Sequence, residues 1–248
     1  MLTANRLSPE LEIERWEDRR DIKNLMGRFV YDCLIKNERE IYASHWSSRE
    51  DVCLMYPWGT YKGAEAVKGF YAGLDRYNRE RAAWFRELFP EQTEKLDDEK
   101  MYGIGSYDGR HLTTPCIYVA DDGETAQAIY WIHQVDDRMS PAGSVAHWSL
   151  GLLFLDLIYE NDQWKIWHMR NAYEVDGPHG QPFGAAETLP GPEIPALAAH
   201  LKEAEAWFPK PNDPTPSHEV YSTGRTAPVF PPCPHPYATW DDAQSYGI

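Results

Sequence analysis

The chain has 248 residues and carries 24 basic and 39 acidic side chains, which gives a formal net charge of −15. A charge of this sign and size should repel nucleic-acid phosphates and anionic membrane surfaces, so we expect neither as a partner. The first eight residues contain no apolar run, and the longest apolar stretch, 150–158, is interrupted by Asp156. The sequence therefore predicts no signal peptide and no membrane span, and a cytoplasmic location is expected.

Three helices are predicted in the first part of the chain. Ser8, Pro9 and Glu10 form an N-cap, a first-turn proline and a first-turn acid, so a helix should run from there to about Lys36. A second cap at Asn37 predicts a short helix to about Trp46, and a longer helix should run from about Ala64 until Pro90 stops it. A short strand is expected between these two, at 52–56.

Four extended runs rich in β-branched and aromatic residues follow, at 111–119, 125–135, 145–159 and 164–173. Turn-forming segments separate them, which predicts antiparallel pairing. Helices followed by a meander of long strands are typical of an α+β fold.

The composition changes after residue 175, because 14 of the 19 prolines lie from Pro178 onward. We predict a domain at 1–175 and a proline-rich C-terminal extension at 176–248, with one helix at 193–207, that docks on the domain or on a partner subunit. The abundance of aromatic residues also favours a homodimer or a higher homo-oligomer.

Three segments in this order resemble motifs of SnoaL-like proteins, which belong to the nuclear transport factor 2-like class. They are residues 22–29 (IKNLMGRF), 58–63 (WGTYKG) and 164–168 (WKIWH). The resemblance covers roughly residues 10–175. It implies a cystatin-like α+β roll, in which N-terminal helices pack on a strongly curved mixed or antiparallel sheet and close a conical pocket.

The resemblance extends to scytalone dehydratase-like members, whose pocket uses a tyrosine and two histidines on strands and a helix carboxylate. The matching positions here are Tyr56, His111 and His133, while Asp32 lies one turn from the position of the carboxylate. An imidazole can take and return a proton near neutral pH, and a carboxylate orients it. We therefore expect Tyr56, His111 and an acidic side chain to converge in the pocket.

Each of these residues also has a purely structural interpretation. His111 could be a strand-start histidine bonded to backbone, and Asp32 could be a solvated helix residue that pairs with Lys36. Asp156 lies in an apolar run, so it either points into the pocket with a raised pKa, near His133, or lies in an ion pair on the outer face.

A further set of side chains is expected to hold the substrate, mainly through aromatic rings. On the last strand, Met169, Asn171 and Tyr173 share one side and His168 and Arg170 the other, but alternation does not say which side is inside. The predicted substrate-binding residues are Tyr31, Trp58, Tyr61, Trp131, Trp148, Phe154, Met169, Asn171 and Tyr173.

No cofactor or metal is expected. The nine histidines lack a His-x-x-x-His spacing, the four cysteines form no Cys-x-x-Cys, and no glycine-rich phosphate loop follows a strand. We therefore predict a cofactor-independent lyase or dehydratase that uses histidine acid/base chemistry on a hydroxylated aromatic molecule and eliminates water or a small carbonyl fragment. The resemblance extends this to lignin-derived diaryl compounds. The alternatives are a non-catalytic ligand-binding or assembly module, or an isomerase of the ketosteroid isomerase kind.

Overall fold

The computed structural model describes residues 8–181, 191–213, 220–222, 224 and 231–247. The predicted α+β class is confirmed, since N-terminal helices pack on one face of a six-stranded mixed sheet. The helices are α1 (Pro9–Leu34), α2 (Glu38–His45), α3 (Ala64–Leu88), α4 (Pro90–Thr93), α5 (Asp98–Met101) and α6 (Pro195–Trp207). The strands are β1 (Cys53–Tyr56), β2 (Gly59–Lys62), β3 (Asp108–Val119), β4 (Thr125–Ser140), β5 (Gly143–Glu160) and β6 (Gln163–Pro178).

The strand order across the sheet is β2-β1-β6-β5-β4-β3. Strands β3 to β6 form the predicted antiparallel meander, while β1 pairs with β6 in parallel, with Leu54 opposite Met169. Tyr56, the last residue of β1, therefore lies beside the part of β6 that follows Arg170. Among the described helices, none is long and apolar enough to cross a bilayer.

Helix α1 begins as its sequence predicts, with the Ser8 side chain accepting a hydrogen bond from the Leu11 amide at 3.3 Å. Its buried residues Ile22, Met26, Phe29 and Cys33 recur at three- and four-residue steps. This spacing gives one apolar stripe, which faces the sheet and contributes to the main core.

The sheet has an inner face toward the helices and an outer face away from them. Leu153, Leu155 and Leu157 of β5 belong to the main core with α1 and α3. The residues between them, such as Phe154, belong to a second, smaller cluster on the outer face, together with Tyr246. Strand alternation thus separates the two faces along the whole of β5.

The meander is longer than predicted. Strand β3 begins at Asp108 rather than at His111, and β4 and β5 continue toward each other until Pro141 and Ala142 turn the chain. The segment at 136–144, between two of the predicted strands, is mostly strand, and Arg138 on β4 pairs there with Asp176 on β6 across the inner face. The segment between α3 and β3, for which no helix is predicted from the sequence, contains α4 and α5.

The described part of the C-terminal extension packs on the domain at two places. After α6, Pro209 packs against Gly73 of α3 so closely that a Cβ on Gly73 would lie 2.5 Å from Pro209 Cδ. Further along, Asp213 forms an isolated antiparallel bridge with Thr60 of β2. Residues 231–247, which we call the C-terminal strap, lie on the outer face of the sheet, where Tyr246 packs on Phe154. These contacts favour the proposal that the extension docks on its own domain.

Candidate active site

A cavity of about 460 Å³ lies between the inner face of the sheet and the helices. Its deepest part reaches Cys33 and Tyr71, close to the apolar core. Charged and hydroxyl side chains from α2, α3, β1, β3 and β6, and from the α1–α2 turn, line it together. The most relevant are Lys36, Glu38, Tyr56, Arg81, Arg110 and Tyr173.

Arg110 on β3 forms the centre of the cavity floor. Its Nε and Nη2 atoms donate to the two carboxylate oxygens of Asp108 at 3.0 and 2.9 Å, a bidentate pair between residues two apart on one strand face. Burial raises the pKa of Tyr56, and a hydrogen bond from Arg110 to the Tyr56 hydroxyl opposes this rise. The phenol and the guanidinium together form a site for an oxygen that gains negative charge.

Glu38 lies at the first position of α2 and is 6% exposed. Its carboxylate accepts a hydrogen bond from Asn78 Nδ2 at 3.0 Å and lies 3.2 Å from the Tyr102 hydroxyl. Burial raises the pKa of Glu38, while its hydrogen bonds and the charge of Lys36 act in the opposite direction. This carboxyl group therefore holds its proton to a higher pH than an exposed glutamate does.

Lys36 lies two residues after the end of α1 and has a left-handed backbone, at a φ of 61°. This conformation is strained for a residue with a side chain and turns the chain into α2, so that Lys36 lies near Glu38 at the cavity wall. Burial lowers the pKa of Lys36, and the nearby carboxylates of Asp108 and Glu38 partly restore it. The cavity therefore contains an amine and a carboxylic acid whose pKa values are shifted toward each other.

The far wall of the cavity is formed by β4 and β6. The Tyr173 hydroxyl donates to Gln134 Oε1 at 3.1 Å, and Arg138 bridges Asp136 and Asp176. Burial raises the pKa of Asp136, whose Oδ1 atom has no partner in the part of the chain that the structure describes. This wall can orient a polar group of a ligand.

Three of the residues predicted from the sequence line this cavity: Tyr56, Trp58 and Tyr173. The rings of Tyr56 and Trp58 stack with centroids 4.4 Å apart and planes 7° apart, and half of Trp58 is exposed. Trp58 therefore lies at the mouth of the cavity and Tyr56 inside it. The catalytic and binding roles of these side chains remain predictions.

The expected convergence of Tyr56 with His111 is wrong. His111 and His133 lie opposite each other on β3 and β4, and both are exposed on the outer face. His111 Nδ1 lies 3.3 Å from the carbonyl oxygen of His133, which corresponds to the structural interpretation of a strand histidine bonded to backbone. The inward residue is its neighbour Arg110, because successive side chains of a strand alternate between faces.

Asp32 does have a histidine partner, but it is His45 of α2 rather than His111. His45 Nε2 lies 2.6 Å from Asp32 Oδ2, and Asn37 donates to the other carboxylate oxygen at 3.0 Å. Burial lowers the pKa of His45, and the bond to Asp32 opposes this. The pair joins α1 to α2 beside a separate surface cleft that also contains Tyr31 and Lys165, so it does not reach the cavity.

Asp156 lies on the outer face of the sheet, so the expectation that it points into the pocket is wrong. It is fully buried and lies 2.9 Å from His168 Nδ1, and it accepts hydrogen bonds from Gln127 and, in the strap, from Ser245 Oγ and the Tyr246 amide, each at 2.8 Å. The alternative of an outer-face pair is the correct one. His168 shares this face, opposite to that of Met169, which agrees with the division of β6 predicted from alternation.

The other predicted binding residues lie outside the cavity. Exposed rings on outer surfaces are those of Tyr31 (61%), Trp131 (44%) and Trp148 (39%). Phe154 is buried beneath Tyr246 of the strap. Inner-face residues that serve packing are Tyr61, whose hydroxyl donates to the Pro209 carbonyl, Met169, which lies in the core, and Asn171, which donates to the Met55 carbonyl.

Sequence reasoning missed Lys36, Glu38, Asp108 and Arg110. No site role is predicted from the sequence for Asp108 or Glu38, and Lys36 is considered there only as a helix end and as a partner for Asp32. One signal was present for Arg110. It lies two residues before Leu112 and therefore on the same face of β3, and Leu112, the one apolar side chain near the start of the strand, is partly buried against the core. Among the described residues, no cluster of three or more histidines, cysteines or acids could hold a metal ion.

No family model matches the chain, and no curated relative matches its sequence. Solved structures do match. A proposed scytalone dehydratase from Novosphingobium aromaticivorans has 14% identity and a TM-score of 0.49, covering 74% of this chain and 99% of its own. A type 2 hexachlorocyclohexane dehydrochlorinase, LinA, has 14% identity and a TM-score of 0.48, covering 73% and 99%.

A nuclear transport factor 2-like protein with a cystatin-like fold, also from Novosphingobium aromaticivorans, has 18% identity and a TM-score of 0.42, covering 68% of this chain and 91% of its own. This last protein is described as a member of the class that the sequence motifs resemble.

Proposed function

We propose that the protein is a cofactor-independent lyase that acts on a hydroxylated aromatic small molecule in the inner-face cavity. The observation that carries this proposal is the placement of Lys36 and Glu38, an amine with a lowered pKa and a carboxyl with a raised pKa, at the wall of one cavity. Groups whose environments move their pKa values toward neutrality suit proton transfer near neutral pH.

The acid/base chemistry is assigned to these two residues and not to histidine, because His111 and His133 are on the outer face. In the proposed reaction, the Lys36 amine removes a proton from the substrate and the Glu38 carboxylic acid protonates the departing hydroxyl group. One C–H bond and one C–O bond break, a C=C bond forms and water leaves, with no change in overall oxidation state.

A second version of the same step releases a carbonyl fragment. If the proton is taken from the hydroxyl of a hydroxymethyl substituent, the C–C bond to that substituent breaks in place of a C–H bond. The products are then formaldehyde, water and the same alkene. In both versions Arg110 and the Tyr56 hydroxyl stabilise negative charge that develops on substrate oxygen.

The proposal is tested by turnover of a panel of one- and two-ring aryl alcohols. Formation of a conjugated alkene is followed by ultraviolet absorbance, and released formaldehyde is measured separately. We expect Glu38→Gln to reduce kcat by about 100-fold or more, the usual contribution of a general acid. Glu40→Gln is the matched control, since Glu40 is an exposed residue of the same helix.

Two results would count against a lyase. If the Glu38→Gln variant and the unmodified protein had the same kcat, Glu38 would not be the general acid. Thermal stabilisation by these compounds with no turnover in the unmodified protein would favour the alternative, a ligand-binding module.

A further inference from the structure

Arg81 lies on α3, is 4% exposed and lines the cavity. Its Nε and Nη1 atoms are buried and have no hydrogen-bond partner within the described ranges of the chain. The ring of Tyr77, with its centroid 4.9 Å from the guanidinium carbon, packs against the charge but offers no oxygen to it. The cavity thus contains a buried guanidinium with unused donors.

The other arginines of the cavity are differently placed. Arg110 is neutralised by Asp108, and Arg138 pairs with both Asp136 and Asp176. Burying an unpaired charge is costly, and an uncompensated charge near a second cation, Lys36, is more costly still. An anionic group that enters the cavity would remove this cost, so the cavity favours an anion beside Arg81.

The remainder of such a ligand must be apolar. Trp58, Leu74, Tyr77 and Phe208 line both the cavity and an adjoining groove of about 430 Å³ between α3 and the segment that contains α6. The groove is walled mainly by rings, leucines and prolines, with Pro209 and Pro211 at one side. A ring of the ligand can therefore lie at the junction while its charged group reaches Arg81.

We propose that Arg81 binds a carboxylate group and that the substrate is an aromatic acid. The planar fork of N–H donors matches the two oxygens of a carboxylate, which a lysine could not do. The ring lies between Trp58 and Phe208, and the hydroxyl that is eliminated faces Glu38. This inference rests on the proposed function only in assigning the substrate to the same cavity.

The test measures binding rather than turnover, by isothermal titration calorimetry with the full chain. The probes are benzoate, phenylacetate and 3-phenylpropanoate, three acids that differ in the distance from ring to carboxylate, each compared with its methyl ester. We expect at least one acid to bind about tenfold or more tightly than its ester, since hydrogen bonds between charged groups contribute this much.

Arg81→Met should reduce the affinity for that acid to the level of the ester, and Arg81→Lys should give an intermediate value. The matched control is Arg20→Met, which removes the same charge from an exposed position on α1. The comparison of acid with ester in the unmodified protein does not depend on whether either Arg81 variant folds.

The Glu38→Gln variant separates this inference from the proposed reaction, because it should keep the preference for the acid even if turnover is lost. If none of the three acids binds more tightly than its ester, or if Arg81→Met keeps the preference, the inference is wrong whatever the turnover assay gives. Preference for the acid without turnover supports the anion site and counts against the lyase.

Discussion

Glu38 and Asp75 share one phenol hydroxyl: that of Tyr102, which lies 3.2 Å from Glu38 Oε2 and 2.8 Å from Asp75 Oδ1. A tyrosine has a single hydroxyl proton, so it cannot donate to both. Asp75 is the nearer carboxylate and also pairs with Arg39 and Arg79. When Tyr102 donates to Asp75, its oxygen can accept a hydrogen bond from the protonated carboxyl group of Glu38.

This arrangement predicts a pH dependence of stability. Burial raises the pKa of Glu38, so the folded chain keeps a proton that the unfolded chain releases near pH 4.3, a typical glutamate value. Stability therefore falls as the pH rises from about 4.3 through the folded pKa. Glu38→Gln should remove this loss, so its melting temperature should rise relative to the unmodified protein between pH 4 and pH 8. For Glu40→Gln we expect a curve of melting temperature against pH that runs parallel to that of the unmodified protein. A parallel curve for Glu38→Gln would contradict the raised pKa of Glu38.

Two glycines of α3 should respond in opposite ways to the same substitution. A Cβ on Gly69 would have no atom within 4 Å, whereas a Cβ on Gly73 would lie 2.5 Å from Pro209 Cδ. Gly69→Ala should stabilise the protein by about 1 kcal/mol through helix propensity. Gly73→Ala should lose that gain, because Pro209 and the segment after α6 must move. Urea denaturation measures both, and an equal gain in the two variants would contradict the close packing.

The strap should depend on Asp156. Asp156→Asn breaks a buried network and should cost about 3 kcal/mol of unfolding free energy. Ser245→Ala removes the hydroxyl that donates to Asp156 and accepts from the Gly247 amide, and should cost at least about 1 kcal/mol. Asp21→Asn, which alters an exposed pair with Arg20, is the control and should change stability by less than about 0.5 kcal/mol. The free energy of unfolding is measured by denaturation. If it were the same for Asp156→Asn and the unmodified protein, the network would not hold the strap.

The placement of histidine and tyrosine makes a prediction about activity. Tyr56→Phe removes a hydroxyl from the cavity floor and should lower kcat by roughly 100-fold with an unchanged melting temperature. His111→Ala should leave kcat unchanged, because the imidazole lies on the outer face. A loss of turnover in His111→Ala at normal stability would restore the interpretation based on the sequence.

Much of the fold was predictable because its signals are local. The cap at Ser8, the stripe of α1 and the run of β-branched and aromatic strands each depend on near neighbours in the chain. Strand alternation also assigned Met169, Asn171 and Tyr173 to one face correctly. What alternation does not provide is the identity of the inner face.

The site was harder to predict because it depends on which face of the sheet is the inner one and on contacts between residues far apart in the sequence. On β3, each face near the start carries polar residues, and only Leu112 distinguishes the face of Arg110 from that of His111. Asp156 has apolar neighbours on both faces of β5, since the strap covers the outer one. Lys36 and Glu38 lie in a helix-helix turn, and their role depends on Arg110, Asn78 and Tyr102.

The dependence of Asp156 on the strap also bears on how the chain folds during synthesis. Ser245 follows Asp156 by 89 residues, so a ribosome completes the whole meander, including His168, before the strap partners of that carboxylate are synthesised. Until then Asp156 and Phe154 face water or a chaperone, and the nascent domain exposes an apolar patch with a charge at its centre. Closure of this face by the strap must therefore follow synthesis of the whole sheet.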